Sequence, residues 1–254
     1  MLTLDKLTIR FGGLVAVNEL DFHIPEGCIF GLIGPNGAGK TTCFNMISGT
    51  FKPTSGSVAL KGQRIDGFPM FKINGLGISR TYQNINLFGE MTALENVMVG
   101  QHSRMTAGVW NSMLRLPGQR AEEKRIRQKA EETLAFVGLT HRLNDQADSL
   151  SYGEQRLLEI ARAIASDPCL LLLDEPAAGM NPSEKMELMH LVKRIRDTMG
   201  ITILVVEHDM KFVMNLTEQI CVLNYGKRIA LGTPEEVQQN PEVVEAYLGG
   251  GEDE

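Results

Sequence analysis

Apolar residues recur along this chain in two different periods, and the switch between them divides it. The opening third reads as strands over Leu4 to Phe11, Asp21 to Ile24 and Cys28 to Ile33, with Pro25-Glu26-Gly27 turning the chain between the last two. A glycine-rich turn follows, then a helix from about Gly39 to Ser48. From Thr92 to about Ala165 the pattern is helical: Ile126, Ala130, Leu134 and Val137 recur at helical spacing among charged neighbours. The stretch from Arg104 to Gln119 is less periodic, carries two glycines and a proline, and reads as a loop or short insert. Alternation then resumes, with a strand over Cys169 to Asp174, a helix over Ser183 to Met199 with Leu188, Val192, Ile195 and Met199 on one face, and a strand over Ile201 to Glu207. Strands alternating with helices imply a largely parallel sheet covered on its faces. The helical middle, 92–165, is expected to be a subdomain inserted into an α/β core formed by 1–91 and 166–254.

The length of 254 residues suits one large domain carrying such an insert. A net charge of −6, with no run of Lys and Arg, points away from a nucleic-acid partner. The start, MLTLDKLTIR, has neither the basic-plus-apolar pattern of a signal peptide nor that of a transit sequence. The longest apolar runs, Leu170 to Leu173 and Ile201 to Val206, are of strand length, far below the roughly 18 residues of a membrane span. Cys28, Cys43, Cys169 and Cys221 are widely spaced without a CxxC pair, which predicts buried reduced thiols and a cytoplasmic address.

The sharpest chemical signal is Gly34-Pro35-Asn36-Gly37-Ala38-Gly39-Lys40-Thr41, a complete GxxxxGK[ST] set between an apolar strand and a helix. Glycines let backbone N–H groups turn inward around phosphate oxygens, and the following helix aims its positive end at the same anion. Lys40 supplies charge to the β- and γ-phosphates of ATP, the Thr41 hydroxyl suits Mg²⁺, and Thr42 adds a further hydroxyl. The second half of the site is Leu170-Leu171-Leu172-Leu173-Asp174-Glu175. An apolar strand ending in two acids places both at the carboxyl edge of the sheet, where α/β folds bind ligands. Asp174 is expected to hold Mg²⁺, directly or through water, and Glu175 to orient or deprotonate the attacking water.

Leu150-Ser151-Tyr152-Gly153-Glu154-Gln155 precedes a helix upstream of that acidic strand. Here the sequence resembles the nucleotide-binding domains of ABC ATPases, whose signature usually reads LSGGQ; Ser151 and Gly153 match it, whereas Tyr152 and Glu154 depart. Ser151-x-x-Glu154 also has the form of a capping box at a helix start. The resemblance covers essentially the whole chain. It implies a P-loop core of the ABC type, an N-terminal antiparallel β region and the inserted helical subdomain. Phe11, before Gly12-Gly13, matches the aromatic that stacks on adenine. Gln83, in Arg80-Thr81-Tyr82-Gln83, matches the glutamine that reaches metal and water. His208, in Glu207-His208-Asp209, matches the histidine that contacts the γ-phosphate. Asn181 stands where the family more often has Asp, and with Pro182 it also reads as an N-cap followed by proline at N1. In this family Ser151 and Gly153 would reach the γ-phosphate bound by the opposite protomer, so the working unit is an ATP-sandwiching homo- or heterodimer.

Finer resemblance concerns Arg80 through Phe88, Glu90 through Val97, Asp174 through Pro182, the 104–119 insert, and the end of the chain with Gly232 through Val237 and Ala246 through Gly249. These look like the larger ATPase subunit of branched-chain amino-acid importers. Urea/amide importers, lipopolysaccharide-exporting ATPases and a soluble Fe–S assembly type are the alternatives. The importer reading implies transmembrane permease subunits, a second ATPase subunit and, indirectly, a periplasmic or extracellular solute-binding protein. It implies a peripheral place on the cytoplasmic face of the plasma (inner) membrane. Leu87, Phe88 and Met91, apolar residues in a loop-like stretch after Gln83, are the expected docking contacts. Thr233 to Glu236 forms a further capping box with proline at N1.

Overall fold

The computed structural model describes residues 1–101 and 117–248. Most of the 104–119 insert, and Gly249, lie outside the described residues. The chain divides into two compact units, Met1–Gln83 with Cys169–Glu254, and Asn84–Pro168.

In the first unit β1 (Leu2–Phe11) and β2 (Leu14–Ile24) pair antiparallel, Leu2 opposite Ile24 and Phe11 opposite Leu14. Strand β2 begins earlier than the pattern predicts. Leu14-Val15-Ala16-Val17 is apolar on both faces, so no alternation betrays it. With β4 (Ser55–Leu60) and β5 (Gln63–Arg64) these strands form a sheet in the order β2-β1-β4-β5. The second sheet comprises β3 (Ile29–Ile33), β6 (Ile78–Arg80), β7 (Leu170–Asp174), β8 (Thr202–Val206), β9 (Gln219–Asn224) and β10 (Lys227–Gly232). Its order is β10-β9-β3-β8-β7-β6, parallel except for the antiparallel edge strand β10. Every residue of β3, β7 and β8 is buried, as strands covered on both faces require.

Side-chain alternation sends neighbouring residues of this sheet to opposite faces. Phe30, Leu32, Leu170, Leu172, Leu204 and Cys221 pack with Leu2, Leu4 and Phe22 of the first sheet and with Phe44 and Ile47 of α1 (Lys40–Ile47). Ile33, Ile220 and Val222 pack instead with Val213 of α7 (Met210–Leu216), Val237 of α8 (Pro234–Gln238) and Val243 of α9 (Pro241–Leu248). The unit also carries α2 (Met70–Gly75) and α6 (Pro182–Met199). All four cysteines are free; Cys28, Cys43 and Cys221 are buried, and burial pushes their thiols upward, Cys28 and Cys221 to about 12. Among the described residues no helix is long and apolar enough to cross a membrane.

The second unit is helical, with α3 (Ala93–Gly100), α4 (Pro117–Phe136) and α5 (Tyr152–Ile164). The face formed by Ile126, Ala130, Leu134 and Val137 is buried. Fully buried Asn96 braces the approach to α3: it accepts from the Phe88 N–H at 2.9 Å and donates to the Phe88 and Thr92 carbonyls. At the head of α5 both halves of the capping box form. The Glu154 carboxylate accepts from the Ser151 N–H at 2.9 Å, and the Ser151 hydroxyl accepts from the Glu154 N–H at 3.4 Å. Arg142 adds a 2.8 Å ion pair to Glu154. Partial burial alone would raise this carboxyl, but the hydrogen bonds from Arg142 and Ser151 outweigh it and hold the group down at about 2.

A folded-state value below the ordinary 4.5 gives Glu154 a stabilising contribution that is full above that pH and is lost as pH falls toward about 2. Glu154→Gln should therefore flatten the acid limb of the melting-temperature profile in that window and leave a constant offset above it. Parallel profiles for variant and wild type throughout the window would refute this account of the cap.

Candidate nucleotide site

The phosphate-binding loop runs from the end of β3 into α1, and close backbone approach dictates glycine at two of its positions, Gly34 and Gly39. A Cβ at Gly34 (φ +150°) would stand 2.1 Å from the Leu223 carbonyl oxygen, and one at Gly39 (φ +99°) 2.6 Å from that of Ala16. The Gly226 N–H donates to the Ala38 carbonyl at 3.0 Å, so the turn before β10 fixes the loop from outside. Lys40, 7% exposed, donates from Nζ to the Gly34 and Pro35 carbonyls at 2.6 and 2.9 Å. Burial lowers its proton affinity, and the charge of Glu175 works in the opposite sense. Asn36, Gly37 and Thr41 are exposed, Thr42 half-buried and Ala38 buried.

Asp174 and Glu175 lie at the carboxyl end of β7, where the β7–β8 register sets Asp174 opposite Val206. Glu175 adopts a left-handed backbone (φ +46°), rare for a residue with a side chain. Its N–H donates to the Val206 carbonyl at 2.9 Å and its own carbonyl accepts from Ala178 at 3.2 Å, which fixes the reversal. Strain of this kind, about 1–3 kcal/mol, persists where surrounding structure enforces it and is concentrated at working sites. The reversal directs the carboxylate to two other predicted residues. Gln83 Nε2 donates to Glu175 Oε2 at 2.9 Å, and His208 Nδ1 lies 3.7 Å from the same oxygen.

Two residues to which the sequence assigned no role support this set. Glu207, 1% exposed, accepts from the N–H groups of Ala177 at 2.8 Å and His208 at 3.2 Å, tying the segment that follows Glu175 to the end of β8. Burial raises its carboxyl, and those two hydrogen bonds oppose the shift. Arg80 pairs with Asp174 at 2.7 Å. A charge ending a strand was the available sign of Arg80; nothing local marks Glu207 as buried.

Phe11 is 46% exposed beside Gly12 and meets Phe51 edge-on at 5.4 Å between ring centroids. Asn181 caps α6: its side chain accepts from the Glu184 N–H at 3.0 Å while the Glu184 carboxylate accepts from the Asn181 N–H at 2.8 Å. Ser151 and Gly153 stand at the head of α5 in the helical unit, Ser151 exposed. Thr41, Gln83 and Asp174 supply the hard oxygen donors that Mg²⁺ prefers, and an ion of this kind takes most of its remaining ligands from phosphates and water. Among the described residues no cluster of three or more His, Cys, Asp or Glu could hold a metal ion.

The family model described as ABC transporter matches residues 17–178, and one described as branched-chain amino acid ATP-binding cassette transporter matches 227–253. The high-affinity branched-chain amino acid transport ATP-binding protein LivG of Escherichia coli (strain K12) is 45% identical over 249 residues, 98% of each chain. The crystal structure of an ABC transporter's ATP-binding cassette in its ADP conformation superposes with a TM-score of 0.85 at 31% identity, covering 98% of both chains. A dimeric cassette in a post-hydrolysis state, bound to ADP and Pi, gives 0.77 at 28% identity, covering 92% of this chain and 99% of that one. With an end-to-end relative at that identity and a family model spanning more than half its length, this chain belongs to the ABC transporter family.

Proposed function

We propose that this chain is the ATP-binding and ATP-hydrolysing subunit of an importer of branched-chain amino acids. The observation that carries the hydrolytic reading is the convergence of Gln83 and His208 on one oxygen of Glu175, in the unit that also holds the Lys40 loop. Phosphoryl transfer to water depends mainly on positioning and charge stabilisation. The Lys40 ammonium and the loop N–H groups bind the β- and γ-phosphates, and Phe11 offers its exposed ring to adenine. Glu175 orients the attacking water and accepts its proton; Gln83 and His208 fix the carboxylate and meet the γ-phosphate side. Thr41, Gln83 and Asp174 would hold Mg²⁺, which neutralises phosphate charge.

Ser151 and Gly153 would complete the site of a second ATPase subunit, identical or paralogous. Similarity to LivG and the match over 227–253 support the branched-chain amino-acid assignment. Import requires permease subunits in the membrane, with this chain peripheral on the cytoplasmic face and a solute-binding protein on the other. Phe88 and Met91, 48% and 39% exposed on the helical unit, with half-buried Leu87 beside them, are the proposed permease contacts.

Glu175→Gln should retain ATP binding, lose at least about a hundredfold in turnover, and accumulate as a closed dimer with ATP and Mg²⁺ in sedimentation. A variant that stays monomeric at saturating ATP and Mg²⁺ would count against the shared site. Uptake of labelled leucine in cells lacking the gene should return with the wild type and not with Glu175→Gln; no recovery with either would remove the substrate assignment. Phe88→Asp should bind ATP normally yet support little uptake, and normal uptake would exclude Phe88 from the docking surface.

A further inference from the structure

Arg80 ends β6 with a guanidinium that is 9% exposed, beside an Asp174 carboxylate that is 3% exposed. Its fork is fully directed. Nη2 donates to Asp174 Oδ2 at 2.7 Å, and Nη1 donates to Asn45 Oδ1 at 2.7 Å and Ser48 Oγ at 2.9 Å, at the end of the helix that begins with Lys40. The guanidinium carbon lies 5.6 Å from the centroid of Phe44 and 5.1 Å from that of Tyr82, so aromatic rings hold the group as well. Nε has no hydrogen-bond partner among the described residues. A buried donor left unmatched is costly; the position is therefore set by what Nη1 and Nη2 hold.

A buried aspartate whose metal arrives only with a nucleotide faces an electrostatic problem at every other stage of a turnover cycle. Unpaired, it is a desolvated negative charge, which destabilises the fold and attracts any divalent cation. Taking as its basis the reading that Asp174 helps hold Mg²⁺, we propose that Arg80 is the resident counter-ion of Asp174. It neutralises the carboxylate and occupies Oδ2, leaving the other oxygen for the metal. Its bonds to Asn45 and Ser48 fix the orientation of that oxygen relative to the helix of the phosphate loop. Asp174 then has little affinity for a cation alone and engages one when nucleotide phosphates supply the rest of the coordination. Arg80 is a positioning residue that acts through Asp174.

The test compares the wild-type chain with Arg80→Leu, Arg80→Gln and Arg80→Lys, each purified without nucleotide. Thermal melting is measured with and without millimolar Mg²⁺, and Mn²⁺ binding by electron paramagnetic resonance. The wild type should melt at the same temperature with or without Mg²⁺ and bind Mn²⁺ weakly. Arg80→Leu should melt lower, recover part of the loss with Mg²⁺, and bind Mn²⁺ at least about tenfold tighter, since a positive charge within ~4 Å of the carboxylate is gone. Adding Asp174→Asn to Arg80→Leu should abolish the new Mn²⁺ binding. Arg80→Lys, which keeps the charge, should remain as indifferent to cations as the wild type. If Arg80→Leu does not fold, Arg80→Gln carries the same Mn²⁺ comparison. Variants that melt lower with no response to Mg²⁺ and no gain in Mn²⁺ binding would make Arg80 a purely structural brace and overturn the inference. Wild-type ATP hydrolysis, measured in parallel, separates the two levels: its absence defeats the functional reading, whereas its presence with unchanged Mn²⁺ binding defeats only the role of Arg80.

Discussion

Burial on both faces of the parallel strands β3, β8 and β7 is the constraint on which the rest of the first unit depends. All of their residues are buried, so their register is fixed: a shift by one residue would turn every side chain to the opposite face of the sheet. That register brings the carboxyl ends of the three strands side by side. The phosphate loop leaves β3, the acidic pair ends β7, and His208 follows β8. The reaction chemistry is a consequence of how an apolar sheet aligns.

Charges carried into this frame are each matched. Lys40 is held by two loop carbonyls, Asp174 by Arg80, Glu207 by two N–H groups, and in the helical unit Arg156 meets Glu159 at 2.8 Å with both side chains inaccessible. Such pairs contribute little net stability compared with apolar packing, but removing one partner leaves a buried charge that the fold tolerates badly. Their common effect is orientation. Glu207 ties the segment after the Glu175 reversal to the end of β8, and Arg80 joins the Asp174 carboxylate to the helix of the phosphate loop.

The Glu154 departure at the signature and Asn181 after the acidic strand have local explanations. Glu154 completes the box that caps α5, with Arg142 as second partner. Asn181 completes another at the head of α6, its side-chain oxygen accepting the Glu184 N–H. In both places a capped helix start is preserved, and Ser151 remains exposed at the head of α5.

By itself the sequence determined the parts of this protein that local pattern encodes. The GxxxxGK[ST] loop between strand and helix, the apolar run ending in Asp174-Glu175, the capping boxes at Ser151 and Thr233, and the helical face of Ile126, Ala130, Leu134 and Val137 all lie within a few residues of their partners. The run Leu14 to Val17 escaped because apolar residues on both faces erase the alternation that marks a strand. Tertiary structure decided what depends on residues distant in the chain: Gln83 meets Glu175 across 92 positions, Arg80 meets Asp174 across 94, and the Glu207 carboxylate reaches back 30 to Ala177. The left-handed turn at Glu175 belongs with these, because its backbone is imposed by β8 and not by any preference of glutamate. Periodicity and turn chemistry are properties of neighbours along the chain, whereas the pairing of buried charges and the aiming of a carboxylate are set only when strands far apart in sequence come into register.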